Sequence, residues 1–93
     1  MKTVKCYALH ILQDNDLSKI MNQDTVKILK KYRSCQTPSP NIMAFLMTIL
    51  FLTPVERNNC YKDLTKIGIK CAIETSVAIV DAQYLNYFSR EDR

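Results

Sequence analysis

The sequence predicts an all-α protein, a compact bundle of four to six short helices around a central apolar helix at residues 41–53. Three observations predict it. The stretch NIMAFLMTILFLT is apolar from Ile42 to Leu52 except at Thr48, and no charge falls between Arg33 and Glu56. Wound as a helix it leaves no face for water, so it belongs in an interior. Start and stop signals bracket it, and apolar residues on either side of it recur at steps of three and four.

The elements follow in order. Val4, Ala8, Ile11 and Leu12 share one helical stripe, with Lys2 and Lys5 turned to solvent. Gln13-Asp14-Asn15-Asp16 is a turn. Its two aspartates fit helix capping better than calcium binding, because neither the further oxygen ligands nor the glycine of a calcium loop follows. Leu17, Ile20 and Met21 make one apolar turn, and Asn22 or Asp24 caps a helix from about Thr25 to Cys35. Gln36-Thr37-Pro38-Ser39-Pro40 is a proline-containing linker, in which Ser39 and Pro40 suit the cap and first position of the apolar helix.

That helix stops at Thr53-Pro54, since the residue before a proline is pushed out of the helical region. Its roughly 20 Å falls short of the 30 Å or so of a bilayer core, which makes it a buried helix rather than a membrane span. Thr53-Pro54-Val55-Glu56 then forms a capping box for the next helix. Lys62, Lys66 and Lys70 draw a lysine stripe along it, and Gly68 either stands just past its end or is tolerated within a longer helix at about 1 kcal/mol. The stretch from Ile69 to Phe88 reads as a helix by its apolar spacing, although residues 75–80 are rich enough in β-branched side chains to form a strand. Ser89 to Arg93 is a charged tail expected to fray.

Composition bounds the rest. Ninety-three residues at 47% apolar content make a single domain near the lower size limit for independent folding, and sharing apolar surface in a homodimer would ease that limit. One glycine in the whole chain excludes glycine-rich phosphate loops. Cys6, Cys35, Cys60 and Cys71 are widely spaced, and with a single histidine they make no zinc motif. They read as reduced thiols behaving as small hydrophobes. The opening MKTVKCYALHIL has a leader-like charge and apolarity, but Lys5 and His10 interrupt it and QDND follows where a cleavage motif would stand. The protein is therefore expected to be intracellular, cytoplasmic or nuclear.

No catalytic, metal or cofactor site is expected, because His10 has no sequence-adjacent partner and Glu56 and Asp63 are accounted for by capping and by neighbouring lysines. The expected function is a small non-catalytic interaction or regulatory module, docking a protein partner or its own copy through apolar and aromatic faces. Tyr84, Tyr87 and Phe88 are its candidate anchors. Its composition resembles that of small viral accessory and other regulatory proteins. The alternative is nucleic-acid binding. Lys27, Lys30, Lys31, Tyr32 and Arg33 would form the basic patch, extended by Lys62, Lys66 and Lys70, although a net charge of +4 is only mildly basic. Thr37 and Ser39, each followed by proline, are candidate phosphorylation sites, where added phosphate would favour the start of the apolar helix. Neither a membrane nor a small-molecule substrate is expected.

Overall fold

The computed structural model describes residues 2–88 and overturns the helical bundle. A four-stranded antiparallel sheet organises the chain, in the order β2-β3-β1-β4. The strands are β1 (Thr3–Leu12), β2 (Ser34–Thr37), β3 (Phe45–Phe51) and β4 (Cys71–Asp81). Helices α1 (Leu17–Ile20) and α2 (Gln23–Lys31) connect β1 to β2, and α3 (Pro54–Lys66) connects β3 to β4. A short 3-10 helix, Ala82–Tyr87, follows β4. Two β-α-β units are thus interleaved, each with a strand of the other between its own two, in the connectivity called ferredoxin-like. That connectivity hosts many unrelated activities and says nothing of this one.

The expected central helix at 41–53 is the correction with the widest consequences. Its core is β3, hydrogen-bonded to β1 on one side and β2 on the other. A strand paired on both edges and covered on both faces is apolar throughout, so it lacks the alternation that marks a half-exposed strand. Ile49 and Phe51 face the helices, while Thr48 and Leu50 face the opposite side. The start of the run is not buried at all: Ile42 and Met43 are 69% and 87% exposed in the loop before β3.

The predicted N-terminal helix is also a strand. Leu9 and Ile11 point to the helices and Cys6, Ala8 and His10 to the other face, a period of two in which both sets are buried. The predicted C-terminal helix is β4 followed by the 3-10 helix, so the β-branched run at 75–80 identified the strand correctly. The helix expected to reach Cys35 ends at Lys31, and Cys35 lies in β2.

Several locally signalled features hold, although Ser39-Pro40 opens no helix and Asp14 pairs with Lys70 instead of capping one. Asp16 caps α1 and Asn22 caps α2, each side chain accepting an amide two residues on. Thr53 caps α3 through the Glu56 amide, with Pro54 opening the helix. Gly68, at φ +88°, closes α3: the amide of Ile69 reaches back to the carbonyl of Leu64 and that of Gly68 to Thr65. Its missing Cβ also leaves room for Lys19, whose Nζ would lie 3.0 Å from one.

The helix-side core gathers Leu9, Ile11, Ile20, Ile49, Phe51, Cys60, Leu64 and Ile69. The opposite face of the sheet holds a smaller cluster, Cys6, Ala8, Cys35 and Leu50, covered by Phe88 with Leu85 beside it. All four cysteines are free, and burial pushes the Cys60 and Cys71 thiols up to about 12. Among the described residues, no helix is long and apolar enough to cross a membrane. The charged tail from Ser89 to Arg93 lies outside the described residues.

Candidate functional site

The face of the sheet away from the helices carries the chemistry. β1 places His10 opposite Thr48 on β3 and Ala72 on β4. The β1–β4 register then shifts, so that Ala8 faces residues 74–76, an excess that displaces Glu74 toward the ring. Arg57 of α3 helps to hold this bulge by donating to the Glu74 carbonyl at 3.2 Å.

His10 Nδ1 lies 2.8 Å from Thr48 Oγ1, and Nε2 lies 3.0 Å from Glu74 Oε1. The second carboxylate oxygen of Glu74 accepts from the Ser76 amide and hydroxyl. The His10 contact, followed by those from Ser76, holds the Glu74 carboxyl below the usual glutamate range. An ionised Glu74 accepts the Nε2 proton, which leaves Nδ1 to accept from the Thr48 hydroxyl. The Phe45 ring stacks on the imidazole at 4.3 Å between centroids and 10° between planes.

Hydroxyl, imidazole and carboxylate stand in the order of a nucleophilic site. Thr48 is only 5% exposed, however, on a strand paired with β1 on one side and β2 on the other. The network satisfies a buried imidazole and ties β1 to both β3 and β4. Beside it opens a cavity of about 350 Å³, lined by His10, Thr48, Glu74, Ser76 and Thr37 together with apolar neighbours.

Thr37 also lines a larger cavity of about 670 Å³. Its walls are residues 35–38 at the end of β2 and Gln83, Tyr84 and Tyr87 of the 3-10 helix, with Asp81. Tyr84 is 45% exposed and Tyr87 72%, their rings tilted at 5.9 Å. Phe88, the third expected anchor, is 3% exposed and packed on the sheet, so it fixes the tyrosines' platform instead of offering itself to a partner.

The basic residues proposed for nucleic acid fall mostly on two neighbouring helices. Lys27, Lys30 and Lys31 lie on α2, Tyr32 and Arg33 just beyond it, and Lys62 and Lys66 on α3. The expected stripe breaks at Gly68, and Lys70 lies on the approach to β4, bonded to Asp14 at 3.2 Å. Lys31 pairs with Asp63 at 3.2 Å. The Tyr32 hydroxyl donates to the same carboxylate at 2.6 Å, and its ring meets Phe51 edge-on, so it is held in the helix-side packing. Burial, reinforced by Asp63, raises the Tyr32 hydroxyl pKa.

Thr37 donates to the Thr48 carbonyl at 3.4 Å, and the Ser39 hydroxyl accepts from the Asn41 amide at 3.0 Å. With no helix beginning at residue 41, the dipole that was expected to welcome phosphate there is absent. Among the described residues, no three His, Cys, Asp or Glu side chains converge as a metal site.

Sequence reasoning missed the partners of His10, because a contact across 38 residues to Thr48 and 64 to Glu74 leaves no trace in local spacing. Compared with protein-family models, curated proteins and solved structures, the chain matches none of them.

Proposed function

We propose that the protein is a non-catalytic docking module that binds an extended segment of a partner protein between β2 and the 3-10 helix. The observation carrying this role is the pair Tyr84 and Tyr87, exposed at the wall of a cavity of about 670 Å³ and facing an edge strand. An extended segment added to such an edge gains main-chain hydrogen bonds, and the tyrosines supply anchoring area at low entropic cost. The cavity falls in the size range of ligand sites. The chain's single histidine is engaged by Thr48 and Glu74 and is not needed for docking. The four free thiols support a role in a reducing, intracellular compartment.

Selection of a displayed random peptide library on the intact protein tests this role. Enriched peptides are expected to lose at least about tenfold in affinity when Tyr84 and Tyr87 are each replaced by Ala. Stability should change by less than about 0.5 kcal/mol, because both side chains are exposed. Failure to enrich any peptide, or binding indifferent to both substitutions, overturns the docking role.

A second function, nucleic-acid binding, draws support from the side-by-side placement of α2 and α3, joined by the Lys31–Asp63 pair. Lys27, Lys30, Lys62 and Lys66 then occupy one helical layer, on the face away from the tyrosines. An oligonucleotide titration showing affinity that falls steeply with salt, and that is lost in Lys27→Glu/Lys30→Glu, would favour this function over docking.

A further inference from the structure

The charge around these cavities runs against the charge of the chain. Thirteen Lys and Arg against nine Asp and Glu make the protein basic, with a net charge of +4. Among the described residues, however, neither cavity is lined by a lysine or arginine. Asp81 lines the larger one and Glu74 the smaller, and the two cavities meet at Thr37.

Elsewhere in the fold Asp14 pairs with Lys70 and Asp63 with Lys31, whereas among the described residues Asp16, Asp24 and Glu56 have no lysine or arginine within ion-pair distance. Among the described residues, neither Asp81 nor Glu74 has a lysine or arginine within ion-pair distance. Among the described residues, Asp81 accepts one hydrogen bond, from the Gln83 amide at 2.9 Å. The Glu74 side chain is 39% exposed, and its contacts with His10 and Ser76 leave part of its acceptor capacity open.

From this juxtaposition of two carboxylates with no lysine or arginine partner among the described residues and two exposed tyrosine rings, we infer that the segment docked here is cationic, carrying arginine or lysine. The inference rests on the docking role proposed above and names the chemistry of its partner. A guanidinium or ammonium lying over Tyr84 or Tyr87 is attracted by the ring face, while its alkyl stem covers apolar wall and its charge reaches toward Asp81. A second basic residue meets Glu74, whose ionised form is the one already in place beside His10. An acidic segment would meet these two negative groups in a groove that offers it no cation among the described residues.

The peptide selection provides the test. Peptides enriched on the wild-type protein are expected to exceed the input library in Arg and Lys. That excess should disappear in a parallel selection on Asp81→Asn/Glu74→Gln, whose amides keep acceptors for the Gln83 amide and for His10. For one enriched basic peptide, Asp81→Asn alone should weaken binding about fivefold, and raising the salt concentration should weaken it on the wild type as well.

Enrichment that depends on the tyrosines but shows no basic excess overturns the cationic partner and leaves docking standing. A basic excess that persists on the double variant also overturns it, since the cations are then held elsewhere. Absence of any enrichment removes the docking role and the cationic partner together. The salt series on the unmodified protein decides the matter even if the double variant folds poorly. Binding unaffected by salt counts against a cationic segment.

Discussion

The two faces of the sheet solve the same burial problem with different materials. Under the helices, Leu9, Ile11, Ile49, Phe51 and Leu64 interlock as large apolar side chains, every one of them almost fully buried. On the other face the central positions apart from Leu50 are small or polar, Cys6, Ala8, His10 and Thr48, and cover comes from Leu85, Phe88 and Phe45 at the start of β3. The helix side is therefore filled by volume. The other side relies more on directional contacts, and it carries the cavities of about 670 and 350 Å³. A close-packed face has nothing to offer a ligand, whereas a face held by hydrogen bonds and one aromatic lid can leave space without collapsing.

The most severe test of this contrast is truncation on each side of β3. Phe51→Ala is expected to cost about 3–5 kcal/mol in denaturant unfolding, and Leu50→Ala on the opposite face about 2 kcal/mol. Equal losses would mean that the second face is packed as tightly as the first. Thr48→Val should cost about 1–3 kcal/mol, because it removes the hydroxyl donor and leaves His10 Nδ1 buried without a partner. A neutral outcome would show that the imidazole network adds nothing to the second face.

The smallest expected effect concerns acid. The folded-state pKa of Glu74 is depressed below its ordinary value of 4.5, so its contribution is fully present above that pH and is lost as pH falls through the depressed value. Glu74→Gln should therefore unfold with a shallower dependence on pH below about 4.5, and with an unchanged dependence above pH 6. Asp63 and Asp16 are lowered too and keep part of the acid sensitivity in the variant.

The legible parts of the sequence were those whose causes are local. Thr53, Pro54 and Glu56 announce α3, Gly68 ends it, and Asp16 and Asn22 stand where helices begin, because caps act within three or four residues. Strands have no such autonomy. Residues 75–80 carry a strand signal in their β-branched side chains, but a strand needs a partner, and the sequence of the partner β1 reads as a helix. Its Val4, Ala8 and Ile11 happen to fall at helical spacing. β3 hid for the converse reason, since a run buried on both faces has no polar side to betray its period. The tyrosines were visible as candidates. The cavity beside them, and the engagement of His10 by Thr48 and Glu74, depend on pairings across most of the chain.

The placement of β1 has a consequence for how the molecule comes into being. It lies between β3 and β4, so β1 cannot complete its ladders until β4, which follows it in the chain, has been made. Roughly 70 residues separate the end of β1 from the end of β4, and translation at about 5–20 residues per second leaves the wait at several seconds. Throughout it, Cys6, Leu9 and Ile11 have one neighbouring strand at most. A nascent chain halted before residue 71 would expose the raw edge of its own innermost strand.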